Sequence, residues 1–295
     1  MQEEKKSGYP LQELILSESL LPLWLQDNTG KRIKQAKLHE GTTHGRKHQE
    51  VSTIISVNGG KPFKPLDIVD FAIVSALDSE FYSGNRVISF RRLYQDLGGG
   101  ECLHEKMQEN LFKRVNRLKS LAVEIDASEV TKNFYPNFTG KKIINSNFIC
   151  AEVEKTEFVG GVSADAIHIL DTSPVFRYSA MKKQVARINP EVVSADLRFS
   201  ENTLKIMWCL LDSVVRIVRS NSNKRGKRAK PMTPTIILDR IFEKCGFTNL
   251  DKDRKKQVRL HGYVKKILEH FKNCGLVKSY EIDKKINGFY VNFAL

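Results

Sequence analysis

Hydrophobic residues recur in this chain with two different periods, and the periods fall into two blocks laid out alike. From Pro65, a favourable first helical residue, Ile68, Val69, Phe71, Ala72, Ile73, Val74, Ala76 and Leu77 are apolar nearly all round, which predicts a buried helix ending at Ser83-Gly84-Asn85. A short β-like piece, Arg86 to Phe90, precedes a short helix from Arg91 to Leu97 that the glycines at 98 to 100 terminate. Leu103 to Ser120 reads as a longer, amphipathic helix. Its Met107, Leu111, Val115 and Leu118 recur at i, i+4, i+8 and i+11 as an apolar stripe, and Lys106, Asn110, Lys113 and Arg117 form a polar, basic stripe about a third of a turn away. Period-two alternation then predicts strands over 122–125, 140–149, 150–158 and 164–170.

The second block repeats the plan. Ser200 is placed to cap a helix carrying Leu204, Met207, Trp208, Leu211, Val214, Val215 and Val218. Asn221 to Lys230 is a basic loop, too polar and glycine-broken to pack. Thr233 and Pro234 supply an N-cap and first turn for a short helix reaching Cys245. Asp251 is the expected cap of a long helix to about Asn273, and Val277 to Ile282 with Phe289 to Phe293 predicts a closing β-hairpin. The third helices of both blocks exit alike, into Leu121-Ala122-Val123-Glu124-Ile125-Asp126 and Tyr280-Glu281-Ile282-Asp283, which suggests an internal repeat. The expectation is an α+β fold of two tandem winged-helix domains, 64–195 and 196–295, in which a helix-turn-helix presents its second helix beside a hairpin wing. Residues 1–63 lack sustained periodicity. With Lys31-Arg32-Ile33-Lys34-Gln35-Ala36-Lys37 and His44-Gly45-Arg46-Lys47-His48, they read as a poorly ordered basic arm.

A length of 295 residues and 41% hydrophobic content suit two globular domains, and the charge singles out one of them. Of the net +14, Arg216 to Lys272 carries +12, with seventeen Lys and Arg against five acids. Charge so localised is the footprint of a surface that meets a polyanion, and a solvated basic face is the competing reading. In the long C-terminal helix, Leu260, Val264, Ile267 and Phe271 form the core stripe. Lys252, Lys255, Arg259, Gly262 and Lys266 lie on the far side, with Tyr263 at the margin. A DNA major groove about 12 Å wide admits one helix, where Lys and Arg pair with guanine or phosphate. Gly262 weakens the helix by about 1 kcal/mol relative to alanine but lets its backbone approach DNA closely. Lys284 and Lys285 at the hairpin tip, and Arg225, Lys227 and Arg228 in the basic loop, are candidate phosphate contacts. The first domain's Lys106, Asn110, Lys113 and Arg117 form a weaker candidate, with a solvated face or a dimer contact as the alternative.

Catalytic readings find little support. The nearest string to a phosphate-binding loop, Thr139-Gly140-Lys141-Lys142, lacks the upstream glycine and the hydroxyl residue for magnesium. Tyr178 with Lys182 imitates the tyrosine part of a nicking enzyme, but His168 stands alone in Ala166-Ile167-His168-Ile169-Leu170. His44 and His48 have metal spacing without a third ligand. Glu152 and Glu154 fit an exposed strand, and Asp67 with Asp70 fits a helix start, where negative charge is favourable. Five cysteines, widely spaced and without a C-x-x-C pair, imply neither disulfides nor zinc and read as buried thiols. The early run from Leu20 to Leu25 is interrupted by Pro22 and too short for a signal or membrane segment, so the expectation is a cytoplasmic, non-enzymatic protein without cofactor, metal or membrane partner.

The stretch Lys64-Pro65-Leu66-Asp67-Ile68-Val69-Asp70-Phe71-Ala72-Ile73, the later Ser120-Leu121-Ala122-Val123-Glu124-Ile125-Asp126, the segment Ile167 to Ser179 and the basic C-terminal helix together resemble winged-helix replication initiator (Rep) proteins of plasmids and integrative elements of Gram-positive bacteria. The resemblance spans roughly residues 60 to 295. It implies two winged-helix domains, binding to repeated double-stranded DNA sequences at an origin, and recruitment of host replication proteins without a catalytic centre. By position, Lys252 to Lys266 becomes the main origin-reading element and Lys106 to Arg117 its counterpart, with the first domain making a second DNA contact or a homodimer interface. A winged-helix transcriptional regulator and a relaxase-like enzyme using Tyr178 are the alternatives.

Overall fold

The computed structural model describes residues 13–17, 35–40, 51–57, 64–157, 163–194, 200–222, 234–247, 250, 253–283 and 287–292. Within them the fold is α+β, with eight α-helices and small sheets whose strand pairs are all antiparallel. The chain divides into two compact units, residues 1–96 with 100–188, and residues 97–99 with 189–295.

In chain order, the first unit contains β1 (Leu14–Ser17), β2 (Gln35–Glu40), β3 (Val51–Val57), α1 (Ile68–Tyr82), β4 (Val87–Ile88), α2 (Phe90–Asp96), α3 (Glu105–Ser120), β5 (Leu121–Asp126), α4 (Ser128–Phe134), β6 (Ile143–Asn147), β7 (Cys150–Glu157), β8 (Ser163–Asp171), α5 (Pro174–Met181) and β9 (Val185–Ile188). The chain enters α1 through Asp67, so the helix begins at Ile68, three residues after the expected start at Pro65. The Asp67 carboxylate accepts from the Val69 and Asp70 amides while Asp70 accepts from the Asp67 amide, a capping box that ends the extended stretch. As its all-round apolar pattern predicts, α1 is buried from Ile68 to Glu80. Its polar residues are therefore partnered. Asp78 accepts from the amide and hydroxyl of Ser173, and Glu80 accepts from Arg92 Nε and Asn85.

The expected disorder across residues 1–63 is corrected in three places. β1 pairs with β9, its Leu14, Ile15 and Leu16 are core residues, and the Ile15 amide donates to Ser79 Oγ. β2 and β3 complete a four-stranded sheet of order β2-β3-β5-β6. Val51-Ser52-Thr53-Ile54-Ile55-Ser56-Val57 is a β-branched run that pairs on one side with the preceding β2 and on the other with β5, far downstream in the chain. Lys31 to Lys34 and His44 to His48 lie outside the described residues.

The second unit contains α6 (Glu201–Ser222), β10 (Thr235–Ile237), α7 (Leu238–Lys244), α8 (Arg254–Asn273), β11 (Ser279–Asp283) and β12 (Gly288–Asn292), with sheet order β10-β12-β11. Ser200 and Thr203 exchange hydrogen bonds at the start of α6, and Leu204, Met207, Trp208, Leu211, Val214 and Val215 are buried as predicted. Two helix starts differ from expectation. Thr235-Ile236-Ile237 is taken into the sheet beside β12, so the short helix begins at Leu238 rather than at Pro234. Asp253 caps α8, accepting from the Lys256 amide at 2.9 Å, whereas Asp251 lies outside the described residues.

The units share an order of elements that differs from the repeat read in the sequence. In each, a long helix, a strand, a short helix and a long helix precede a two-stranded antiparallel pair. The strand before the short helix pairs with the second strand of that pair, β4 with β8 and β10 with β12. The counterpart of β11 is thus β7. Leu121 to Asp126, equated in the sequence with Tyr280 to Asp283, forms β5 in the separate four-stranded sheet. Only Cys209 and Cys245 are buried thiols; Cys102 is exposed, and Cys150 and Cys274 are half-buried.

Candidate nucleic-acid interface

The geometry of α8 follows from its sequence. Leu260, Val264, Ile267, Leu268 and Phe271 are fully buried, and this stripe packs on α6. With 100° per residue, the opposite face falls at Lys255, Arg259, Gly262 and Lys266, all exposed. Among the described residues none of these three cations is held in an ion pair. The acid on the following turn, Glu269, is engaged by the Tyr280 hydroxyl at 3.0 Å and Lys272 at 3.2 Å, which together draw its carboxyl below the usual range. Tyr263 is half-buried at the margin.

Three further side chains of this face escaped the sequence reading. Arg254, Val258 and Lys265 are exposed, and Val258 is 64% exposed. Arg254 and Lys265 were legible as charges at helical spacing, and Val258 as an apolar residue off the core stripe. His261, by contrast, turns inward and stacks on Phe242 at 5.4 Å, where burial lowers its pKa and favours the neutral ring. In the sheet of this unit, β12 lies close on β10, since a Cβ on Gly288 would collide with the Ile236 carbonyl oxygen. Lys252, Arg225, Lys227, Arg228, Lys284 and Lys285 lie outside the described residues.

In the first unit, one member of the expected basic stripe of α3 is engaged within the protein, beside a buried arginine of the same helix. Arg114 is buried and binds the capping box of α1, its Nη1 donating to Asp67 Oδ1 at 2.8 Å and Asp70 Oδ1 at 3.0 Å, its Nη2 to Asp67 Oδ2 at 3.1 Å. Arg117 donates to the other oxygen of the fully buried Asp70. Arg117 thereby straps α3 to α1. A carboxylate buried this deeply needs the charge of both guanidinium groups close by. Lys113 pairs with Glu109 at 2.6 Å, Asn110 is half-buried, and Lys106 is exposed. The cationic faces of α3 and α8 are thus unequal.

Tyr178 is fully buried in α5 with the Lys182 ammonium 5.4 Å over its ring, and His168 pairs with Glu154 at 3.0 Å on the outer face of β8 and β7. No group of three or more potential metal ligands occurs among the described residues. Nor is any described helix long and apolar enough to cross a membrane.

No protein-family model matches the chain, and no curated protein sequence matches it. Among solved structures, the chain is similar to two crystal structures of domains 2 and 3 of RctB, one of them a selenomethionine derivative. Both are 10% identical to it with a TM-score of 0.40, covering 78% and 83% of this chain and 78% and 79% of theirs.

Proposed function

We propose that the protein is a sequence-specific, double-stranded DNA-binding initiator of plasmid-type replication, built of two winged-helix domains and acting through origin repeats and host replication proteins. The observation that carries this reading is α8, a helix with a buried apolar stripe on its inner face and an outer face of Arg254, Lys255, Arg259, Lys265 and Lys266 around an exposed Gly262. Cations at this spacing can reach guanine edges and phosphates on both walls of a major groove, and the glycine allows the helix to lie close. The order helix, strand, helix, helix, hairpin in both units supports the winged-helix assignment, with β11 and β12 as the wing of the second. The concentration of charge between Arg216 and Lys272 supports the same face. We assign the second unit the origin reading and the first a lesser DNA contact or a homodimer interface, consistent with the internal pairing of Arg114, Arg117 and Lys113. The proposed activity is binding and recruitment, with no covalent step.

The test is selection. Full-length protein recovered with duplexes from a synthetic randomised pool is expected to enrich one sequence, and its log K for that sequence should fall linearly with log salt. Tandem copies of the enriched sequence on a reporter plasmid should then support replication only when the protein is expressed, and the supercoiled plasmid should stay intact with the protein and magnesium or manganese. Failure to enrich any sequence overturns the binding reading, and relaxed product overturns the non-enzymatic one.

A further inference from the structure

The outer face of α8 carries one apolar side chain that its charge does not explain. Val258 is 64% exposed and follows Lys255 by three residues, so it stands within the cationic face rather than at its edge. On a helix its surface neighbours are the residues three and four away. Gly262 at i+4 has no Cβ, and one built there would meet nothing within 4 Å. His261 at i+3 is stacked inward on Phe242. The two methyls of Val258 are thus unshielded on the C-terminal side, next to a gap in the helix surface. A single exposed apolar residue is ordinary on a protein surface. This one is distinguished by lying next to Arg254 and Lys255, four and three residues before it, on a face otherwise suited to a polyanion. A valine in a helix has one dominant χ1 rotamer, so fixing it against a partner costs little conformational freedom.

In the major groove the base edges offer hydrogen-bond donors and acceptors and one apolar group, the 5-methyl of thymine. We propose that Val258 reads a thymine by packing on this methyl, with Gly262 leaving room for the approach and Arg259 and Lys255 fixing the register on the neighbouring base or phosphate. The assignment rests on the reading of α8 as the helix that enters the groove. It makes Val258 a specificity determinant whose contribution is discrimination between thymine and the polar pyrimidine edge of cytosine. Burying one methyl group corresponds to about a three- to five-fold change in Kd.

The experiment uses the full chain and the duplex enriched from the synthetic pool, which contains no 5-methylcytosine, so thymine is the only source of such a methyl. Each thymine is replaced in turn by deoxyuridine, which deletes the methyl and preserves the hydrogen-bonding edge, and binding is followed by fluorescence anisotropy at one salt concentration. Wild type should lose about three- to five-fold at one position. Val258→Ala should bind the thymine and deoxyuridine duplexes equally there, and should match wild type on the deoxyuridine duplex. Because the side chain is exposed, the variant should keep its helical circular dichroism. If no position responds in wild type, or if Val258→Ala keeps the same deoxyuridine penalty, the inference is overturned while DNA binding by α8 stands. A pool that yields no enriched duplex removes the underlying reading and the inference with it.

Discussion

Asp78 gives the first unit a pH dependence whose sign and size follow from its surroundings. The carboxyl is buried in α1 and accepts two 2.6 Å hydrogen bonds, from the amide and the hydroxyl of Ser173 at the start of α5. Burial outweighs these bonds and the nearby Arg177, and with Asp171 adding to it, pushes the carboxyl from 3.8 up to about 7. The folded protein therefore holds this proton more tightly than the unfolded chain. The stability it contributes is full below about pH 4 and is lost as pH rises through about 7. Between pH 5 and pH 8 the loss at this site is on the order of 2.5 kcal/mol. Asp78→Asn removes the titration yet leaves an oxygen for the Ser173 amide, while the hydroxyl can rotate to accept. Asp96, pushed up to about 9 by burial and by Glu80, also titrates in the first unit, so the comparison is between wild type and variant at each pH. Guanidinium denaturation of the full chain at pH 5, 6, 7 and 8 should show the variant gaining on wild type by about 2 to 3 kcal/mol over that range. Parallel pH profiles for the two proteins would refute the reasoning.

Gly262→Ala should raise the melting temperature, since helix propensity gains about 1 kcal/mol and the new methyl meets open space, yet weaken binding to the selected duplex, because the gap facing DNA closes. Gly288→Ala should instead destabilise the hairpin by about 1 to 3 kcal/mol, seen as a lowered melting temperature, because the methyl strikes main chain that cannot move cheaply. Arg117→Ala should cost about 2 to 4 kcal/mol in denaturation experiments, leaving Asp70 with Arg114 alone, and leave the salt slope of DNA binding unchanged; a shallower slope would return Arg117 to the interface.

The sequence made the helices of both units legible because their apolar stripes are long and periodic: Leu111, Val115 and Leu118 in α3, and Leu260, Val264, Ile267 and Phe271 in α8, are buried as their spacing predicts. What it concealed depends on partners distant along the chain. β3 lies between β2 and the distant β5, and Thr235 to Ile237 is drawn from a helix start into the sheet by β12. The role of Arg117 turned on Asp70, 47 residues away, although Arg114 set amid the apolar stripe of α3 was a sign that a buried carboxylate awaited it. The α8 face was read correctly as exposed and basic at Lys255, Arg259 and Lys266, since opposition to a core stripe is a local property. Val258 carries no charge that would mark it in the sequence as part of a basic face.

Arg259 offers the most direct measurement. It is exposed, opposite the core stripe, unpaired among the described residues and central to the cationic face. Wild type and Arg259→Ala are titrated at one fixed salt concentration against the selected duplex and a scrambled duplex of the same composition, with circular dichroism confirming that α8 survives. If α8 reads the major groove through this residue, the variant loses about 1 to 3 kcal/mol on the selected duplex and much less on the scrambled one. Unchanged affinity for both duplexes would contradict DNA reading by the outer face of α8.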